Sequence, residues 1–177
     1  MRRIVYYVAS SIDGFISRPG DDISGFVAEG TGVQKYLDDL AEFDTVIMGK
    51  NTYEFGYRYG LKPGEAAYKN MKHYIFSNSL KFETQDTRVH VCKPDLQIVK
   101  KLKTGTGADI YLCGGGEFAG WLLENQQIDL LKIKLNPLIA GGGTKLFGSA
   151  TRFYKTEWLQ TEQYDRGLQL ITYRILY

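Results

Sequence analysis

The sequence of 177 residues has little with which to do chemistry unaided. It holds two cysteines and two histidines. Cys92 and Cys113 make no CxxC pair and no metal-ligand spacing. Both lie in apolar, strand-like runs, where cysteine serves as a small buried hydrophobe, and a reducing cytoplasm is the compartment that fits. His73 and His90 also fall in strand-like segments. GxSxG and HExxH are absent, so neither a hydrolytic nucleophile nor a metal site is expected. The net charge is only +2 and no basic run occurs, which argues against nucleic acid as a partner. No apolar stretch approaches a membrane span. Met1-Arg2-Arg3 runs into a strand pattern broken by Ser10, Ser11 and Asp13, unlike a signal peptide. Repeats, low-complexity segments and composition shifts are lacking, and one domain over residues 1–177 is expected.

What the chain does have is glycine, 20 in all, placed at the ends of apolar runs. The central example is Asp109-Ile110-Tyr111-Leu112-Cys113, then Gly114-Gly115-Gly116, then Glu117-Phe118-Ala119-Gly120-Trp121-Leu122-Leu123. A strand, three glycines and an apolar helix make a place for an anion. Glycine lets the backbone approach closely, and the helix offers unpaired N–H groups and the positive end of its dipole. A plain tight turn accounts for the triplet as well.

The same punctuation recurs along the chain. Residues 4–10 read as a first strand covered on both faces. Asp13-Gly14 is a turn, and the irregular, glycine-containing residues 18–32 are expected to act as a lid. Residues 33–42 read as a helix with Val33, Tyr36, Leu37, Leu40 and Ala41 on its inner face. Thr45-Val46-Ile47-Met48 is a buried strand ending at Gly49-Lys50-Asn51-Thr52, where a phosphate or a mere helix cap is served equally well. Residues 73–77 form a strand closed by Ser77-Asn78-Ser79, which suits a ribose or 2′-phosphate or makes an ordinary turn. Val89 to Cys92 is a strand, and Pro94-Asp95 opens a helix. Residues 130–135 alternate Leu131, Ile133 and Leu135 with Lys132 and Lys134, the pattern of a half-exposed strand. The tail, residues 154–177, reads as a hairpin turning at Asp165-Arg166-Gly167. Alternating strands and helices followed by strands argue for a mostly parallel sheet with antiparallel strands at one edge. Ligands in such sheets bind beyond the carboxyl ends of the strands.

None of the glycine loops has the GxGxxG spacing, and Gly141-Gly142-Gly143-Thr144-Lys145 fails as a P-loop because Leu146 follows the lysine. Several anion-ready loops with no nucleophile or metal suit a nicotinamide enzyme, in which the cofactor carries the reactive atom.

Taken together these segments resemble the dihydrofolate reductase fold, and more closely the C-terminal reductase domain of bacterial riboflavin-biosynthesis proteins and its stand-alone relatives. The resemblance is carried by Val8 to Ile16, Val46 to Glu54, Tyr74 to Ser79, Tyr111 to Phe118 and Asn136 to Phe147, in the family's order and over nearly the whole chain. It implies an α/β fold: a dihydrofolate reductase-like mixed, mostly parallel central sheet flanked by helices, with a C-terminal antiparallel hairpin. It implies NADPH across the strand ends, with Gly49, Lys50, Asn51 and Thr52 and the run Cys113, Gly114, Gly115, Gly116, Glu117 and Phe118 at the phosphates. Ser77, Asn78 and Ser79 would lie by the adenosine end, and Ala9 and Ile16 near the nicotinamide. Lys50 stands where many relatives have arginine and pairs with a 2′-phosphate as a point charge. Glu117 repels a phosphate but suits a helix N-terminus.

The implied activity is that of 5-amino-6-(5-phosphoribosylamino)uracil reductase, with a small-molecule substrate. Asp13, Asn51 and Lys145 are candidates to hold that substrate. Asp13 is either a catalytic orienting or proton-relaying group or a plain turn aspartate. Dihydrofolate is disfavoured, since the family's helix carboxylate falls near Val33. A cofactor sensor without turnover and a true dihydrofolate reductase remain the alternatives. A homodimer is expected from the aromatic supply and the tail hairpin.

Overall fold

The computed structural model describes residues 1–177. The first strand, β1 (Ile4–Ser10), buries Ile4 and Tyr6 on one side and Val5 and Tyr7 on the other, as a nearly continuous apolar run requires. There follow β2 (Phe15–Ser17), α1 (Thr31–Leu40), β3 (Thr45–Gly49), α2 (Lys50–Phe55), β4 (Lys72–Phe76), β5 (Val89–Cys92) and α3 (Leu96–Thr104). The second half holds β6 (Ile110–Gly114), α4 (Gly116–Glu124), β7 (Leu130–Leu135), β8 (Thr144–Lys145), β9 (Lys155–Gln163) and β10 (Gln169–Leu176).

Eight strands make one sheet in the order β5-β4-β3-β6-β1-β7-β10-β9, and β2 pairs with β8 apart from it. All neighbours from β5 to β7 are parallel. The tail hairpin adds β10 antiparallel to β7, and β9 antiparallel to β10. The order places β1 between β6 and β7, so the carboxyl ends of β1, β3 and β6 sit side by side.

Two apolar layers cover the sheet. On one face Tyr6, Ile47 and Leu112 pack with Val99 of α3 and Ala119 and Leu122 of α4. On the other Tyr7, Met48, Ile75 and Tyr111 pack with Leu40 of α1 and Tyr53 of α2. Asp95 caps α3 by accepting from the Gln97 N–H at 2.8 Å, which is why that helix starts where the sequence predicts. No helix is long and apolar enough to cross a membrane.

Two expectations are corrected. Helix α1 starts at Thr31, inside the segment read as a lid, and its inner face is rotated. Leu37 is 53% exposed and Ala41 is exposed, whereas Asp39 is 3% exposed. Asp39 is tolerated there because Lys132 Nζ (2.8 Å), the Tyr7 hydroxyl (3.0 Å) and Lys35 all donate to it. Burial opposes its charge, but the lysine contacts win and keep its carboxyl below the usual range. The remainder of residues 18–32 contacts the loops after β7 and β9. The Val27 N–H donates to Asn136 Oδ1 at 2.8 Å, and Thr31 bonds Asp165. Lastly, Lys132 and Lys134 of β7 are not a solvent face. Both are half-buried, with their ammonium groups over the rings of Tyr7 and Tyr36.

Candidate active site

A cleft of about 700 Å³ opens at the carboxyl ends of β1, β3 and β6. Ala9 from β1 and Ile16 from β2 line it, as do Gly49, Lys50, Asn51 and Thr52 at the β3–α2 junction. From the β6–α4 junction come Cys113, Gly115, Gly116, Glu117 and Phe118. Three sequence segments far apart in the chain thus converge on one cavity, which is what a parallel sheet does with the loops at its carboxyl edge.

The glycines at the β6–α4 junction have packing reasons. A Cβ on Gly116 would lie 2.1 Å from the Lys145 carbonyl oxygen, and one on Gly115 would lie 3.0 Å from Thr52 Oγ1. Gly114 has φ +138°, and the Gly114–Gly115 peptide is cis. The triplet therefore seats α4 tightly under the β8 loop and leaves the bare backbone of Gly115 and Gly116 in the cleft wall. Neither α2 nor α4 has a side-chain cap. Phe118 stacks on Phe76 at 4.8 Å and fixes the first turn of α4. Glu117 accepts from the Ser149 hydroxyl at 2.7 Å, which ties its carboxylate to the following turn.

Lys50 Nζ lies 3.5 Å from Ser79 Oγ and 3.8 Å from Glu54, so the β3–α2 junction and the turn after β4 meet at one cation. Within that turn the Ser77 hydroxyl accepts from the N–H groups of Ser79 and Leu80, which makes Ser77 a turn-former first. Ser77, Asn78 and Ser79 lie outside the cleft lining, as does Gly114.

Two substrate candidates are placed elsewhere. Asp13 is exposed and lies outside the cleft lining. Its oxygens accept from the Ser11 hydroxyl (2.6 Å) and the N–H groups of Ala140 (2.9 Å) and Gly141 (2.8 Å), so it fastens the loop before β8. The Ser11 contact, then the Ala140 amide, hold its carboxyl down to about 2. Lys145 is exposed in β8, opposite Phe15, and it is Thr144 beside it that lines the cleft.

The sequence reading missed the aromatic floor. The Tyr36 and Tyr111 hydroxyls share a hydrogen bond of 2.7 Å, and the Tyr68 hydroxyl lies 3.4 Å from Cys113 Sγ. Burial pushes the Tyr36 phenol up to about 12 and raises the Cys113 thiol, so both are neutral near pH 7. Lys134 completes the floor, its Nζ 3.4 Å from the Tyr36 ring centre and its ammonium pushed down by burial to about 8. Ile23, Phe26 and Val27, from the segment expected to be a lid, supply apolar wall. The signal for Lys134 was present in the lysine alternation of β7, but a period of two does not say which face is wet.

The chain is 29% identical over 170 residues to the uncharacterised protein YwjB of Bacillus subtilis, covering 96% of each. Among solved structures it is similar over its full length to a putative riboflavin biosynthesis protein from Shewanella sp. PV-4, at 22% identity, all of that chain covered and a TM-score of 0.81. A Thermotoga maritima diaminohydroxyphosphoribosylaminopyrimidine deaminase/5-amino-6-(5-phosphoribosylamino)uracil reductase matches 99% of this chain with 57% of its own, at 14% identity and a TM-score of 0.71. Dihydrofolate reductase from Enterococcus faecalis, solved with NADP(H), matches 99% of this chain and 97% of its own, at 14% identity and a TM-score of 0.68. These likenesses establish a dihydrofolate reductase-like fold. The family model described as the RibD C-terminal domain matches residues 2–170, and the chain belongs to that family.

Proposed function

We propose that this chain is an NADPH-dependent reductase resembling 5-amino-6-(5-phosphoribosylamino)uracil reductase, acting on a small polar heterocyclic or ribosyl substrate. The observation that carries the reading is the convergence of Ala9, of Gly49 to Thr52, and of Gly115 to Phe118 on one largely apolar cleft. The residues fit a dinucleotide. Gly115 and Gly116 leave bare backbone beside an uncapped helix start, suited to a pyrophosphate. Lys50, with Ser79 beside it, supplies a cation for the 2′-phosphate. Ala9 and Ile16, which line the cleft, would lie near the nicotinamide, and that ring would supply a hydride to an electrophilic imine or aldehyde carbon. Ile23, Phe26 and Val27 exclude water from that region. Asn51, exposed at the cleft, offers an amide to the substrate.

Dihydrofolate is the weaker substrate reading. The buried carboxylate of α1, Asp39, is engaged by Lys132, Lys35 and Tyr7 and is absent from the cleft lining. A homodimer in the cytoplasm, with no nucleic-acid or membrane partner, completes the proposal; the two free cysteines suit that compartment.

Titration with NADPH and NADH, followed by loss of nicotinamide absorbance with the pyrimidine substrate and with dihydrofolate, tests the reading. Tight NADPH binding and turnover of the pyrimidine are expected. Binding with no turnover would favour a cofactor sensor, and failure to bind either nucleotide would sink the proposal. Lys50→Ala is expected to weaken NADPH by roughly tenfold or more, about 1.4 kcal/mol, and NADH hardly at all. Equal weakening of both refutes the role given to Lys50.

A further inference from the structure

Strand β7 carries two lysines on one side of the sheet, and their surroundings treat them differently. Lys132 is ion-paired, its Nζ 2.8 Å from Asp39 and 4.5 Å from the Tyr7 ring centre. Lys134, two residues on, has no carboxylate within ion-pair distance and no hydrogen bond from its ammonium to any other residue. It rests on the face of Tyr36, 3.4 Å from the ring centre, and lines the cleft. In the register of the sheet it stands opposite Ala9.

The cleft-lining groups on its side are neutral near pH 7. They are Tyr7 from β1, Tyr36 from α1, Tyr68 from the segment before β4, and Tyr111 and Cys113 from β6. Leu170 of β10, paired with Lys134 on its other side, is apolar. The carboxylates beyond are already engaged, Asp39 by Lys132 and Lys35, and Glu162, across Leu170, by the Tyr164 hydroxyl and Gln160. The remaining charged groups of the cleft, Asp21, Lys50 and Glu117, belong to other parts of its wall. A cation–π contact returns only about 0.5–2 kcal/mol, less than full removal of an ammonium from water costs. A methionine would fill this position at no such cost. The cation is left without a counter-charge in the apolar part of a cleft floored by tyrosine rings, an arrangement that suits a planar ligand bringing the counter-charge itself.

We infer that Lys134 is the anchor for an anionic oxygen at the edge of a planar ring, and that it selects acidic ring compounds over their neutral isosteres as ligands of this cleft. That the ligand is the substrate rests on the reductase reading above; the preference for an anion does not. Because burial pushes the Lys134 ammonium down to about 8, the anchor is charged below that pH and lost above it.

Calorimetric titration of the full chain with 2-naphthoate and its neutral counterpart 2-naphthamide, each with and without NADPH, tests the inference. Near pH 7, naphthoate is expected to bind at least about tenfold more tightly. Lys134→Met should erase the difference while leaving naphthamide affinity close to that of the parent and the thermal midpoint at or above it. Lys134→Arg should keep the preference and carry it to about pH 10, where the parent has lost it, since guanidinium does not titrate there. Equal binding of the two probes, no detectable binding of naphthoate at millimolar concentration, or a preference intact in Lys134→Met would each overturn the assignment. Failure of NADPH to bind in the same cell, with the naphthoate preference present, would remove the reductase reading and leave the anchor standing.

Discussion

His73, packed against the cleft residue Tyr68, shows how much is decided one side chain at a time. It is fully buried in β4 and stacks under Tyr68, with ring centres 5.9 Å apart. Its Nε2 accepts the Tyr68 N–H at 3.0 Å, while Nδ1 finds no partner. Burial pushes the imidazole from the ordinary 6.5 down to about 4. The folded state therefore binds a proton less readily than the unfolded state, and stability is fully present above about pH 6.5 and is lost as pH falls towards about 4. At 1.36 kcal/mol per pH unit, the loss amounts to about 3 kcal/mol. Urea denaturation of the parent and His73→Asn across that range is the measurement. The parent should lose stability through the window and the variant should not share that component; parallel curves would refute the assignment. Nothing in the sequence separates His73 from His90, since both sit in strand patterns and the difference lies in what packs on them. Asp13 teaches the converse. Its position before Gly14 makes it conspicuous, yet its partners at Ala140 and Gly141 are supplied by a distant loop that no local pattern reveals.

At the scale of the element, the junction of β6 and α4 was legible because glycines between a strand and a helix leave a strong local signal. Their reason was only half legible. An anion seat and a tight helix–loop contact ask for the same residue, and the structure shows the contact directly. The Cβ of an alanine at position 116 would come 2.1 Å from the Lys145 carbonyl oxygen, a backbone atom held by the pairing of β8 with β2. The side chain cannot be accommodated without moving α4 or that loop, so Gly116→Ala is expected to cost roughly 2 kcal/mol or more. A thermal midpoint unchanged from the parent would show that the junction is looser than its geometry. The inner face of α1 is not legible in the sequence for a related reason. The helical period finds an apolar stripe but gives no weight to a buried aspartate, and Asp39 is inside because Lys132 and Tyr7, from strands distant in sequence, meet it together with Lys35.

For the molecule as a whole, the class of fold followed from alternation. Runs buried on both faces imply a parallel sheet, and a late pair of alternating strands implies an antiparallel edge. Strand order and the face each lysine takes are long-range facts and were hidden. The order ends on β9, a strand of nine residues that is exposed along most of its length. Trp158 on it is 62% exposed, and Phe153 just before it is 84% exposed. Tyr177, 49% exposed, lies at the end of β10 on the same side of the sheet as Tyr173, which pairs with Trp158. An unpaired edge of this length invites another strand. The opposite edge, β5, is only four residues long and offers far less. Edge pairing of β9 with a second copy would satisfy its free backbone groups and cover Trp158, and it leaves the cleft, at the carboxyl ends of β1, β3 and β6, open. Sedimentation equilibrium is accordingly expected to report a homodimer at micromolar concentration, dissociated by Trp158→Lys with NADPH affinity unchanged. A monomeric parent at those concentrations, or a Trp158→Lys dimer as tight as the parent, would exclude assembly through this edge.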